Sequence, residues 1–236
     1  MPDDGSGTVA VLVSGGVESG VLVATIRERF ARAQPIYVRC GLRWEAVELA
    51  ATRSYLAAIA RPGLAPLVVL DEPIRDVYGP HWSTDGPDVP DADAPDEAVY
   101  LPGRNLLLTV KAAVWCRLRD VDALALGSLG SNPFPDSTDG FFQELESVVS
   151  RAMSGGPRLL RPFSGLRKPD VVRRGAGLPL EKTFSCIRPV DGLHCGRCNK
   201  CAERRAGFRD AGVADRTRYA DRHRPTGTRG PTPCIG

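Results

Sequence analysis

A short apolar run that breaks on a glycine pair and restarts as a helix constrains this chain more than any other feature. Thr8-Val9-Ala10-Val11-Leu12-Val13 is β-branched and apolar, and Ser14-Gly15-Gly16-Val17-Glu18-Ser19 follows it. Such a run predicts a buried strand. Residues Glu18 to Phe30 then place Val21, Leu22, Ile26 and Phe30 on one face and Arg27, Glu28 and Arg29 elsewhere, which predicts an amphipathic helix. Further strands are expected at Pro35–Arg39, Leu67–Leu70 and Ala123–Leu126, with an extended segment at Arg158–Pro162. Helices are expected at Glu45–Ala60, Leu106–Leu118, Phe141–Met153, Arg167–Gly175 and Ala202–Ala211. Alternating strand and helix implies an α/β fold with a parallel sheet covered on both faces. Lys182–Ile187 is expected to be extended as well.

A glycine turn between a strand and a helix lets backbone N–H groups approach a ligand closely. The helix N-terminus adds roughly half a positive charge, which suits phosphate. Ser14 and Ser19 can donate hydroxyl hydrogen bonds to phosphate oxygens, and Glu18 can hold Mg²⁺. The loop has neither the lysine nor the spacing of a Walker P-loop, and it lacks the Gly-x-Gly-x-x-Gly dinucleotide fingerprint.

Between Gly79 and Ala98 the rhythm breaks. Pro80, Pro87, Pro90 and Pro95 lie among Gly, Asp and Ser, and no Lys or Arg occurs from Asp76 to Leu101. A loop this long suits a mobile lid, with its acids turned to solvent or to a neighbouring subunit.

Four of the seven cysteines lie close together: Cys186, then Cys195, Cys198 and Cys201. Two overlapping Cys-x-x-Cys steps and an upstream thiol point to a tetrahedral Zn²⁺ site, closed and therefore structural. An iron–sulfur cluster and a redox thiol pair are the alternatives. Arg188, Arg197, Lys200 and Arg204 can offset the charge of four thiolates. His194 is expected to be a solvent-facing neighbour of this site. Cys40 and Cys116 are expected to be small buried hydrophobes, and Cys234 lies in the tail.

These features divide the chain into a nucleotide-binding α/β domain at 1–180, a four-cysteine helical element at 181–222 and a disordered tail at 223–236. The net charge of +3 combines the acidic loop with a basic C-terminal end and does not by itself argue for nucleic-acid binding. No run approaches the roughly 18–20 apolar residues of a membrane span, and the start Met1-Pro2-Asp3-Asp4-Gly5 is unlike a secretory signal. A cytoplasmic setting is expected, with thiols kept reduced.

The Ser14–Ser19 loop resembles the Ser-Gly-Gly-x-Asp-Ser loop of the PP-loop ATP pyrophosphatase superfamily. Together with the cysteines, the chain resembles the 7-cyano-7-deazaguanine synthase family from about Thr8 to Tyr219. The resemblance includes Gly41-Leu42-Arg43, Pro102-Gly103-Arg104-Asn105, Pro135-Asp136-Ser137, Leu166-Arg167-Lys168, Ser185-Cys186 and Asp215-Arg216-Thr217-Arg218-Tyr219. Glu18 stands where the family has Asp, Gly20 where many relatives have Thr, and Trp44 where they usually have His. Ser137 and Gly140 replace a Cys and a Glu.

The resemblance implies a Rossmann-like sheet of the adenine nucleotide alpha hydrolase type, ATP and Mg²⁺ as well as Zn²⁺, and a homodimer. It implies that ATP activates the carboxylate of 7-carboxy-7-deazaguanine, which ammonia converts to the amide and then the nitrile. Val13, Ser14, Gly15, Gly16, Val17, Glu18 and Ser19 are then the nucleotide loop, and Ser14, Glu18, Arg104 and Lys168 the catalytic set. Arg43, Arg104, Asn105 and Asp136 are the substrate set. The plain readings of three of these are a surface charge for Arg104, a helix cap for Asn105 and a turn residue for Asp136. A paralogue joining the activated deazaguanine to a protein amine is the alternative. A tRNA-thiolating PP-loop enzyme and a zinc-ribbon nucleic-acid binder stand further away.

Overall fold

The computed structural model describes residues 7–221; the expectations for the tail 223–236 and Cys234 lie outside them. Five strands form one sheet: β1 (Thr8–Leu12), β2 (Arg32–Arg39), β3 (Val68–Asp71), β4 (Ala123–Ala125) and β5 (Arg158–Leu160). All pairings are parallel and the order is β3-β2-β1-β4-β5. The chain winds outward from β1 in one direction and resumes on its other side at β4. An open parallel sheet has its ligand crevice at such a reversal, beyond the carboxyl ends of the strands.

Alternation along β1 explains the two layers. Val9 and Val11, with Val13 beyond, face a core made by α1 (Val17–Arg29), α2 (Glu45–Ala58) and α6 (Lys168–Arg174). Ala10 faces the opposite core, with Leu108, Ala112 and Cys116 of α4 (Arg104–Arg117) and Phe142, Leu145 and Val149 of α5 (Asp139–Ala152). The α5 residues recur at helical spacing, and Thr138 caps the helix by accepting the Phe141 N–H at 3.2 Å. Cys40 and Cys116 are buried small hydrophobes, as expected.

The expected elements are present with shifted ends. β2 begins at Arg32, and a short helix, α3 (Arg75–Tyr78), follows β3. Residues 183–186 join no sheet ladder. Helix α7 (Asn199–Ala211) starts inside the cysteine cluster with Cys198 as its N-cap, so Cys198 and Cys201 point from its first turn. The four cysteines pack into the α4/α5 core and Phe208 of α7 into the other.

Candidate active site and metal centre

A cleft of about 350 Å³ opens at the sheet reversal, with Ser14, Gly16, Glu18, Arg104, Asp136 and Lys168 in its wall. Of the expected nucleotide loop, Val13 and Ser19 also line it, whereas Val17 is fully buried. The loop is braced internally. The Ser14 N–H donates to Ser19 Oγ at 3.2 Å, and that hydroxyl donates to the Gly16 carbonyl at 3.1 Å. Gly15 has a φ of +74°, and a Cβ there would sit 2.5 Å from Glu48 Cγ. Conformation and space both require glycine. The Phe184 N–H donates to the Gly15 carbonyl at 2.7 Å, which ties the segment before Cys186 to the loop. At Gly20 a Cβ would lie 3.0 Å from the Tyr55 ring and 3.1 Å from Thr183. The Tyr55 hydroxyl donates to the Gly20 carbonyl at 2.9 Å, so these side chains occupy the room a larger residue would need.

Glu18 is paired. Lys168 Nζ lies 2.8 Å from Glu18 Oε1 and 2.7 Å from Glu203 Oε1, and Glu203 Oε2 is 2.8 Å from Lys200 Nζ. Burial opposes the charge on Lys168, but the Glu18 and Glu203 carboxylates outweigh it and hold the ammonium above its ordinary range. Burial also opposes ionisation of Glu203, yet Lys168 and Lys200 bring it down to about 2. Lys168 is thus a charged ammonium largely enclosed in the cleft wall, its side chain 13% exposed, rather than a solvated helix charge.

The expected substrate residues separate. Arg104 borders the cleft, and its Nε is buried without a hydrogen-bond partner among the described residues. Asn105 and Asp136 bind each other: the Asn105 N–H donates to Asp136 Oδ2 at 3.1 Å, and its amide donates to Oδ1 at 3.1 Å. The Asp136 carboxylate therefore caps α4 from a distant loop while lining the cleft. Burial raises Asp136, against the lowering effect of the Asn105 hydrogen bonds. Arg43 does not join this group. Its guanidinium donates to the carbonyls of Thr84 at 3.3 Å and Gly86 at 2.6 Å, so its donors hold the 79–98 segment and do not reach the cleft.

That segment is fastened at several points. Trp82 stacks on Trp44 at 5.9 Å between centroids. The Asn199 N–H donates to the Pro90 carbonyl at 3.1 Å, and its amide donates to the Ala94 carbonyl at 2.8 Å. The acids Asp85, Asp88, Asp91, Asp93, Asp96 and Glu97 are all exposed, as expected, although Asp96 reaches the cleft rim.

One site residue was not anticipated from sequence. Glu48 is 6% exposed, lines the cleft and accepts the Tyr37 hydroxyl hydrogen at 2.6 Å. Burial pushes this carboxyl up to about 7; Arg104 and the Tyr37 hydrogen bond pull it down, and Glu45 adds to the rise.

The four cysteine sulfurs are buried and lie within 4.8 Å of one another. Cys186 and Cys198 are 3.8 Å apart, and Cys195 and Cys201 3.9 Å. Thiolates at about 2.3 Å from a tetrahedral ion stand about 3.8 Å apart, so the tetrad fits a single metal ion. Backbone N–H groups of Arg188 and Cys195 donate to Cys186 Sγ at 3.3 and 3.2 Å, and that of Arg197 to Cys195 Sγ at 3.4 Å. They offset thiolate charge. His194 departs from expectation: it is 4% exposed, not solvent-facing. Its Nε2 accepts the Ser185 N–H at 3.1 Å, and its ring packs between Phe184 and Tyr219. Burial, then the nearby Arg204, pushes it down to about 3, so the imidazole is neutral. Arg204 is fully buried, donating to Thr217, Thr183, Ser185 and the Leu180 carbonyl.

The family model described as "Queuosine biosynthesis protein QueC" matches residues 8–212. The 7-cyano-7-deazaguanine synthase of Xanthomonas oryzae pv. oryzae is 34% identical over 221 residues, covering 89% of this chain and 96% of its own. The 7-cyano-7-deazaguanine synthase 1 of Sphingopyxis alaskensis is 34% identical over 226 residues, covering 90% and 98%. Among solved structures, a U34-tRNA thiolase from Methanococcus maripaludis overlaps 97% of this chain and 77% of its own at 12% identity and a TM-score of 0.48. No helix among the described residues is long and apolar enough to cross a membrane.

Proposed function

The chain belongs to the family of the queuosine biosynthesis protein QueC, and from that premise we propose that it is an ATP-dependent carbon–nitrogen ligase making 7-cyano-7-deazaguanine. A carboxylate does not react with ammonia. Its oxygen must first attack a phosphorus of ATP, expelling the rest of the phosphate chain and leaving a mixed anhydride. Ammonia adds to the acyl carbon, a proton is lost and the phosphate leaves with its oxygen, giving the amide. A second activation, at the amide oxygen, allows loss of that oxygen as phosphate and of two protons, giving the nitrile. The protein's task is placement and charge stabilisation.

The observation that carries this reading is one cleft shared by the braced glycine loop, Lys168 and an Arg104 with an open donor. The loop N–H groups with the Ser14 hydroxyl take the phosphate chain, Ser19 bracing the loop from within, and Lys168 neutralises it. Arg104 takes the substrate carboxylate, and Asp136, positioned by Asn105, meets the polar edge of the deazaguanine. Mg²⁺, where bound, screens the phosphate charge, and Glu18 is the carboxylate beside the loop to hold it. The 79–98 segment covers the cleft and keeps water from the anhydride. The tetrad holds a structural Zn²⁺. The relatives' name favours ammonia over a protein amine as acceptor.

Incubation with ATP, 7-carboxy-7-deazaguanine and ammonium, read by mass spectrometry, is expected to give amide and then nitrile. Ser14→Ala is expected to abolish both while leaving the circular dichroism spectrum unchanged. Substrate-dependent ATP turnover without nitrile would reject the proposal.

A further inference from the structure

The ion pairs that reach Lys168 come from two directions, and the second belongs to the helix that begins in the cysteine tetrad. Glu203 and Gly207 are one turn apart on α7 and face Lys168 together. A Cβ at Gly207 would lie 2.8 Å from Lys168 Cγ and 3.0 Å from its Cδ. The lysine stem therefore lies across α7 at the one-atom clearance that glycine leaves, and its ammonium ends on Glu203 at 2.7 Å. Glu203 is itself held by Lys200 at 2.8 Å, between the third and fourth cysteines. Glu18, Lys168, Lys200 and Glu203 all border the cleft.

We propose that Glu203 and Gly207 are positioning residues of the nucleotide site: α7 aims the Lys168 ammonium at the bound phosphates and keeps it there when the Glu18 carboxylate turns to the nucleotide's metal ion. The inference rests on the ATP-site reading above and not on the identity of the carboxylate substrate. Lys168 has two carboxylates in the unliganded cleft. If Glu18 were its only partner, engaging Glu18 elsewhere would leave this largely enclosed ammonium with no protein carboxylate to fix its position. Glu203 removes that conflict. It is one of four charges that sum to zero, so it holds the lysine without adding net negative charge to a site that must accept an anion.

The test is chemical labelling of Lys168 in the full-length protein with acetic anhydride at fixed pH, read by peptide mass spectrometry, with and without ATP and Mg²⁺. ATP binding is measured separately by calorimetry. In the wild type, ATP is expected to slow labelling of Lys168 at least tenfold. In Glu203→Gln, labelling without ATP is expected to rise severalfold, and ATP protection to shrink to less than threefold although ATP still binds. Gly207→Ala, whose added methyl displaces the lysine stem, is expected to lose protection in the same way and serves if Glu203→Gln does not fold. Wild-type protection in a folded variant, or no protection of Lys168 in a wild type that binds ATP, overturns the inference. A wild type that does not bind ATP also overturns it, together with the ATP-site reading. ATP binding and protection with no nitrile product fails only the substrate assignment.

Discussion

Glu48 gives the sharpest quantitative test of the site. Its carboxyl ionises near 7 in the folded chain against an ordinary value of 4.5. The folded state holds the proton more tightly than the unfolded state, so the associated stability is full below about pH 4.5 and is lost as pH rises through about 7. The difference corresponds to about 3 kcal/mol. Glu48→Gln keeps the shape and leaves an oxygen to accept the Tyr37 hydroxyl, while removing the titration. For a chain of this size about 1 kcal/mol moves the thermal midpoint by roughly 2–4 °C. Because the unfolded carboxyl is already mostly ionised at pH 5, about 2.5 kcal/mol of that stability is lost between pH 5 and pH 8, so the midpoint of Glu48→Gln minus that of the wild type is expected to be about 5–10 °C larger at pH 8 than at pH 5. Differential scanning calorimetry of both proteins at the two pH values reads this directly. A difference constant to within about 2 °C would refute the reasoning, because it would mean that Glu48 ionises at its ordinary value and that the cleft wall is wet there. The carboxyl packs beneath Gly15, so ATP affinity is also expected to weaken above pH 7 in the wild type and not in the variant.

Two further outcomes follow from packing and ligation. Gly20→Thr places a branched side chain against Tyr55 and Thr183 and is expected to cost about 1–3 kcal/mol; an unchanged midpoint in thermal denaturation would show that Tyr55 moves aside freely. The protein is expected to carry one zinc per chain by elemental mass spectrometry, and Cys198→Ser to lose it with a lower midpoint, while zinc retained at full occupancy in that variant would remove Cys198 from the ligand set.

What the sequence disclosed depends on how local the cause was. The glycine loop is legible because Gly15 and Gly16 lie between a β-branched run and a helical stripe, and the hydrogen bonds that brace the turn from within span no more than six residues. The cysteine tetrad is legible for the same reason: the spacing of Cys195, Cys198 and Cys201 fixes most of its geometry. Glu48 was hidden because it sits between Val47 and Leu49 near the start of a helix, where an acid is ordinary, and its burial is decided by Tyr37 and Gly15 on other elements. A phenol between Ile36 and Val38 in β2 was the available hint, since a buried hydroxyl needs a partner. Arg43 was misplaced because motif order does not say which way a guanidinium turns; the carbonyls of Thr84 and Gly86 decide that. His194 is not needed by a metal site that four cysteines complete, which suggests a solvent-facing ring, but Phe184 and Tyr219, one on each side of the tetrad in sequence, bury it. Arg204 was counted as a charge near sulfur, and its four hydrogen-bond partners show it joining α7 to the segments on either side.

The support that Phe184 and α7 give to the glycine loop also bears on how the protein is made. A ribosome delivers the loop within the first twenty residues and its supports some 165 to 190 residues later. A nascent chain exposing only the first four strands already contains Ser14 to Ser19, but it has neither the Phe184 N–H that holds the Gly15 carbonyl nor Lys168 and Glu203. On the proposed reading nucleotide competence therefore comes late in synthesis, and a chain cut short just before Glu203 has all five strands without the finished site.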